Sequence, residues 1–517
     1  MEIVHSYLAG TRTQGTGEAR RLCNPATEDV LAEARVGGYD YPAALDWARE
    51  RGGPALRELT FAQRGRMLAG IAAALHAERD ALIEIAVKNG GNTRGDAKFD
   101  IDGASSTLAH YAELGDKLGA RRVLADGEMI ALRSGPRWVG QHVRTPRLGV
   151  AVLVNAFNFP AWGMLEKAAA ALLAGMPVLS KAATSTALLA ARIADIIVES
   201  KLLPEGAFSF TAGSGGPLAP ALGAQDVLAF TGSAETGARL RADLASGARL
   251  NIEADSLNGA VLGPDVAPGS ETYEMFLRDV VREMTQKAGQ KCTAIRRIFV
   301  PSPLVASVRS DLCERLGEVV VGDPALAEVK MGPLASSDQL AEARRGLATL
   351  EREARRVFGA GGRGRLLGVA EGRGYFLSPV LLETENAEKA PSVHAVEVFA
   401  PVATLLPYGG SAKDAARLLG LGNGSLVASV YGDDDDFAAE LLFGAGAHHG
   451  RLFLGNGKIA EQALGPGAVL PSLLHGGPGR AGGGQELGGL RGLELYMQCT
   501  ALQGPRSVIE KLVGGHG

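Results

Sequence analysis

The segment GVAVLVNAFNFPAWGMLEKAAAALLAGMPVLSK, residues 149–181, places two short β-rich runs on either side of an alanine-rich stretch. Val150, Val152, Val154 and Val178 favour an extended chain, whereas 160–174 has the length and composition of a helix. Strand, helix, strand at this spacing predicts a right-handed crossover and a parallel sheet. The rhythm continues in AFSFTAG (207–213), DVLAFTGS (226–233) and RLNIEA (249–254), with a further helical stretch over 184–199. Ligands of such sheets bind beyond the carboxyl ends of the strands. Residues following each run are therefore the first candidates for chemistry.

A second α/β region begins near Asn258, where a helical segment over about 270–288 leads into QKAGQKCTAIRR (286–297) and the β-rich IRRIFVPS. Upstream, apolar residues recur at helical spacing from Phe61 to Asn89 until NGG stops them. MIALRSGPRWVGQHVRTP (129–146) alternates around central turn residues and suits a hairpin. The charged and then glycine-rich EREARRVFGAGGRGRLLG (351–368) predicts a surface helix followed by a loop. LHGGPGRAGGGQELGGL (474–490) carries too much glycine for a regular element and predicts close backbone approach, with no chemistry assigned to it.

Composition narrows the function classes. The 517 residues are too many for one ordinary core, and 46% hydrophobic with 21% charged residues describes a globular multidomain chain. A net charge of −4 offers no basic excess for a phosphate backbone, so nucleic acid is not an expected partner. Cys23, Cys292, Cys313 and Cys499 are far apart and form no C-x-x-C pair, which predicts free thiols and neither a zinc site nor a disulfide framework. The N-terminal stretch lacks a signal-peptide pattern and no apolar run reaches membrane-spanning length, so the expectation is a soluble cytoplasmic protein without a membrane partner.

Four motifs carry candidate chemistry. Cys292 lies between AGQK and the small residues TA, which leave room for a substrate, although a single cysteine taken alone reads more readily as a small buried hydrophobe. Glu253 closes a predicted strand, where a carboxylate could activate water or could simply be solvated. Asn158 precedes Phe-Pro at another strand end, as an oxyanion donor or a turn residue. In AFTGSAETG, Gly232, Ser233 and Gly237 open a helix whose N–H groups could receive a pyrophosphate. The G-x-G-x-x-G match at Gly359, Gly361 and Gly364 follows a charged stretch and reads as a surface loop. His448, His449 and His475 read as solvated loop residues in preference to an acyl-CoA entrance.

In this order, NAFNFP, SKAAT, FTGS, the strand-end glutamate, GQKCTA and EVFAP resemble the aldehyde dehydrogenase superfamily over nearly the whole chain. Longer stretches, VVREMTQKAGQKCTAIRR and LHGGPGRAGGGQELGGLR among them, are similar to its branch of CoA-linked semialdehyde dehydrogenases of aerobic phenylacetate and benzoate degradation. The resemblance implies an α/β fold of three parts. These are a Rossmann-type cofactor domain (1–128 and 148–254), an α/β catalytic domain (255–455), and a small β oligomerisation element from the 129–147 hairpin and the 456–517 segment. It further implies a homodimer, or else a tetramer, in which the hairpin extends a neighbouring subunit's sheet.

The same resemblance assigns roles. Cys292 is the nucleophile, Asn158 the oxyanion donor and Glu253 the base that activates water. Lys181 and Thr184 are expected at the adenosine ribose, Gly232, Ser233 and Gly237 near the pyrophosphate, and Glu397 with Phe399 at the nicotinamide ribose. Where NAD-preferring relatives carry a carboxylate this chain has Thr184, so NADP is the expected cofactor and NAD the alternative. Asp255 is an addition to the usual pattern, and Ala400 replaces a usual glycine. The expected substrate is a CoA-linked semialdehyde from aromatic-ring cleavage, 3,4-dehydroadipyl-CoA semialdehyde or 3-oxo-5,6-dehydrosuberyl-CoA semialdehyde, oxidised to the acid. Transfer of the acyl group to coenzyme A, and a non-catalytic binding protein on the same fold, are the alternatives.

Overall fold

The computed structural model describes residues 2–216, 218–244 and 247–514; Met1 and 515–517, the two ends of the expected domain ranges, lie outside them. Two seven-stranded sheets dominate. The first has a parallel centre in the order Arg249–Glu253, Val227–Thr231, Ala151–Val154, Val178–Lys181, Phe208–Thr211, and Ser6–Leu8 and Thr11–Thr13 extend it antiparallel. Val152 pairs with Leu179 and Leu228 and faces one core, whereas Leu153 pairs with Ala229 and faces the other. Both faces are covered, which is why these strands read as unbroken apolar runs.

The crossover helix Trp162–Ala174 is buried along every residue but Gly163. Its alanines allow close packing between the sheet and the long helix Arg94–Leu118. The burial also traps Glu166 and Lys167 inside the protein.

Only Ala254–Leu257 separates Glu253 from Asn258–Leu262, the first strand of the second sheet. That sheet is parallel apart from its edge strand Arg355–Phe358, and Val261 against Phe299 and Ala260 against Ile298 alternate between its two cores. The surface helix expected at the charged start of 351–368 is absent. The helix Ser337–Leu350 ends first, and β-branched Val357 with Phe358 joins the sheet edge. Gly359, Gly361 and Gly364 follow as a loop with φ of +85°, +68° and +66°.

The helical stretch 61–89 is two helices, Phe61–Ala77 and Arg79–Gly90, and Gly91 at φ +66° ends the second. The hairpin is Leu124–Ala131 with Trp138–Pro146, so its first strand starts earlier than 129. Met497–Pro505 adds a third strand. All four cysteines are free, and among the described residues no helix is long and apolar enough to cross a membrane.

Candidate active site

The carboxyl ends of the first sheet coincide: Thr231 pairs with Glu253, and Lys181 with both Val154 and Thr211. Chain leaving this edge therefore converges, and Asn158, Thr231 and Glu253 line one cleft. Cys292 enters the same cleft from the second half of the molecule. Phe99, Phe159, Trp162 and Val469 supply apolar wall, with Glu166 and His475 as further polar lining.

The loop bearing Cys292 is tightly constrained. After the helix Glu271–Thr285, Lys287 and Ala288 both take φ +53° and Gly289 φ +69°. Left-handed non-glycine residues cost about 1–3 kcal/mol each and persist where surrounding contacts over-determine them. Arg296 supplies such contacts, donating to Ala400 O at 2.8 Å and Gly289 O at 2.7 Å. A Cβ on Gly289 would overlap the Ala400 backbone. Asn258 Nδ2 then donates to the carbonyls of Cys292 (2.8 Å) and Ala294 (2.9 Å). Asn158 Nδ2 gives one N–H to Gln290 O at 3.0 Å, which aims its second N–H from a fixed amide.

Buried charge surrounds these groups. Glu253 Oε1 lies 3.2 Å from His475 Nε2, which is itself 3.8 Å from Cys292 Sγ. Burial favours the neutral form of Glu253, but His475 and then Lys167 outweigh it and hold the carboxyl below its usual range. Burial, reinforced by the Glu253 charge, pushes the Cys292 thiol well up. Lys167 bridges Glu166 at 3.1 Å and Glu486 at 3.0 Å, and these carboxylates keep it charged despite complete burial. Sγ of Cys292, a Glu253 oxygen and a His475 nitrogen lie within 4.8 Å of one another, which are also metal-donor types, as are the clustered Glu166, Glu253 and Glu486. Lys167 already supplies the cation for Glu166 and Glu486.

None of the residues expected at the cofactor is in the cleft lining, although Thr231 next to Gly232 is, and they spread along the same edge. Half-buried Lys181 has its pKa lowered by burial, and Thr184 Oγ1 donates to Ala212 O at 3.0 Å. Ser233 caps the helix Ala234–Asp243, and Gly237 lets that helix approach Ile252. Asp255 Oδ1 accepts from Ala234 N at 2.9 Å, giving this residue a helix-capping contact. Glu397 Oε2 accepts from Ser256 N at 3.0 Å, and burial pushes its carboxyl up to about 7. Phe399 stands edge-on to Phe157, with the Arg296 guanidinium over its ring.

These residues fit a dinucleotide. Buried Glu397 Oε1 lies 3.7 Å from the Arg296 guanidinium but has no hydrogen-bond partner among the described residues, an acceptor that a ribose hydroxyl would satisfy. Thr231 Oγ1 is likewise buried and unpartnered beside the cleft.

Reading the sequence misses Glu166, Lys167, His475 and Glu486. A Glu-Lys pair inside the apolar run WGMLEKAAAALLA is the signal for the first two. His475 is a correction: it is buried in the site and not on the surface. The segments Leu474–Gly476 and Gln485–Leu487 pair antiparallel, setting His475 opposite Glu486. The glycines between them fit against Ile252, where Gly484 N donates to Ile252 O and Ala254 N to Ala481 O. His449 is also buried, with Nδ1 2.8 Å from Ala445 O.

The family model described as "Aldehyde dehydrogenase family" matches residues 12–501. The 3,4-dehydroadipyl-CoA semialdehyde dehydrogenase of Aromatoleum evansii is 44% identical over 476 residues, covering 92% of each chain. Among solved structures, a lactaldehyde dehydrogenase superposes with a TM-score of 0.82 at 23% identity, covering 97% of this chain and 99% of the other. A betaine aldehyde dehydrogenase variant from Staphylococcus aureus, in complex with NAD+, gives 0.83 at 21% identity, with 97% of each chain covered.

Proposed function

The chain belongs to the aldehyde dehydrogenase family and is an NAD(P)-dependent aldehyde oxidoreductase, and from that premise we propose that it oxidises a CoA-linked semialdehyde to the acid with NADP. The observation that carries the reading is the convergence of Cys292, Glu253 and Asn158 on one cleft. The name of the Aromatoleum relative supports a CoA-linked semialdehyde as substrate. We place 3,4-dehydroadipyl-CoA semialdehyde first and 3-oxo-5,6-dehydrosuberyl-CoA semialdehyde second, each as a product of aromatic-ring cleavage.

Cys292 attacks the aldehyde carbon through sulfur, and the free N–H of Asn158 steadies the oxyanion of the thiohemiacetal. A nicotinamide dinucleotide held along this sheet edge would supply the acceptor for the hydride that leaves the thiohemiacetal carbon. Collapse of the oxyanion leaves an acyl thioester on Cys292. Glu253 takes a proton from water, which hydrolyses the thioester and releases the acid. Lys181 and Thr184 would hold the adenosine ribose, Gly232, Ser233 and Gly237 the pyrophosphate region, and Glu397 with Phe399 the nicotinamide ribose. An uncharged Thr184 near Lys181 supports tolerance of a 2′-phosphate.

Glu253 beside the thiol supports water as the acyl acceptor over coenzyme A. Turnover of C6 and C8 CoA semialdehydes and their CoA-free counterparts, with product analysis, tests this. A free carboxylate is expected; a new thioester formed only with added coenzyme A would overturn it. Cys292→Ala should abolish oxidation while leaving NADPH binding intact. The hairpin and the Met497–Pro505 strand form a three-stranded sheet, which supports the proposed homodimer, with sedimentation as its check.

A further inference from the structure

His475 has no task in the reaction so far, yet its Nε2 faces both reacting groups, 3.2 Å from Glu253 Oε1 and 3.8 Å from Cys292 Sγ. Its position is fixed by the pairing of Leu474–Gly476 with Gln485–Leu487, and a Cβ on the adjacent Gly476 would overlap Gly484 O. Against a carboxylate, Nε2 is the nitrogen that carries a proton.

The charged groups around it come from several elements. Glu253 faces it from its strand, Glu166 and Lys167 from the crossover helix, Glu486 from the paired strand, Arg451 from His449–Gly455, and Cys292 from its loop. Lys167 is committed to Glu166 and Glu486, and Arg451 donates to Pro466 O at 2.7 Å. Among the described residues His475 is thus the cationic side chain placed against both Glu253 and Cys292, while Lys167 acts on Glu253 through its charge from beside Glu166 and Glu486. Burial opposes its charge, but Glu253 outweighs burial and its pKa lies above the ordinary value.

The proposed reaction needs a thiolate for attack and a carboxylate for hydrolysis within one small volume, and two such anions repel. We infer that His475 is a positioning residue that orients Glu253 by a charge-assisted hydrogen bond and, as imidazolium, allows the Cys292 thiolate to form beside it. The thiol proton goes to bulk water, and the imidazolium keeps its own. The inference rests on Cys292 as nucleophile and Glu253 as base.

The test is the pH dependence of Cys292 alkylation by iodoacetamide in the full chain, followed on the Cys292 peptide by mass spectrometry. Wild type is compared with His475→Gln, which keeps an N–H donor without charge, and His475→Phe, which keeps neither. The midpoint is expected to rise by about one pH unit in both, or about tenfold slower alkylation at a fixed pH below it. Thioester hydrolysis in a single turnover should survive better in His475→Gln than in His475→Phe. An unmoved midpoint in variants with wild-type Tm and NADPH binding, even with a lower kcat, overturns the inference. Failure of the nucleophile assignment is read separately, as aldehyde oxidation that persists in Cys292→Ala.

Discussion

Gly484 donates its backbone N–H to Ile252 O at 2.9 Å, one residue before Glu253. The glycine-rich segment is therefore part of the wall behind Glu253, the proposed base, and a Cβ at 484 would overlap that same oxygen. Gly484→Ala should cost about 1–3 kcal/mol, as overpacking does, and lower kcat by shifting Glu253. Thermal unfolding and steady-state kinetics check it; wild-type values for both would show that the approach relaxes freely.

Glu253→Gln preserves shape and a partner for His475 but cannot take a proton from water. Its kcat should fall by about 10²–10⁴-fold, the usual contribution of a general base. A pre-steady-state burst of NADPH should remain, since thioester formation precedes the lost step. Loss of the burst together with turnover would place Glu253 in the first half of the reaction.

Thr184→Glu restores the carboxylate of NAD-preferring relatives. Like charges 4 Å apart repel by about 1–4 kcal/mol in water or near a protein surface, so kcat/KM for NADP should drop about tenfold or more while that for NAD holds or rises. Unchanged discrimination would remove Thr184 from the 2′-phosphate site.

Glu397 gives a pH-dependent stability. Burial raises its carboxyl from 4.5 to about 7, so the folded chain holds this proton more tightly than the unfolded chain. Its contribution to stability is full below about 4.5 and is lost as pH climbs to about 7. Glu397→Gln, neutral throughout, should gain Tm relative to wild type on going from pH 5 to pH 8. Equal differences at the two values would refute the assignment.

Much of this was legible because local chemistry and tertiary demand agree. The strands around 149–181 are apolar on both faces because helices cover both, and the residues after them lie where a parallel sheet gathers ligands. Cys292, Glu253 and Asn158 follow from that rule together with the family resemblance. Periodicity does not reveal which charged side chains are buried. Lys167 sits in a helix that would tolerate it equally on a surface, and its bridge to Glu486 spans more than three hundred residues of sequence. His475 was hidden for the same reason, since its partners lie on the far strand of the first sheet and on the Cys292 loop. The edge strand Arg355–Phe358 shows the converse, a charged sequence drawn into a sheet by two residues.

The short span Ala254–Leu257 is a ruler between the halves of the reaction. Glu253, the proposed base, is fixed just before its beginning, and near its end Ser256 Oγ accepts from Leu426 N at 2.8 Å and donates to Asn258 Oδ1 at 2.6 Å, both in the second sheet. Lengthening it by a residue would leave both halves able to fold while putting sulfur and carboxylate out of step, so tolerance to insertion should be lowest at this point of the chain and not in the loops that merely surround the cleft.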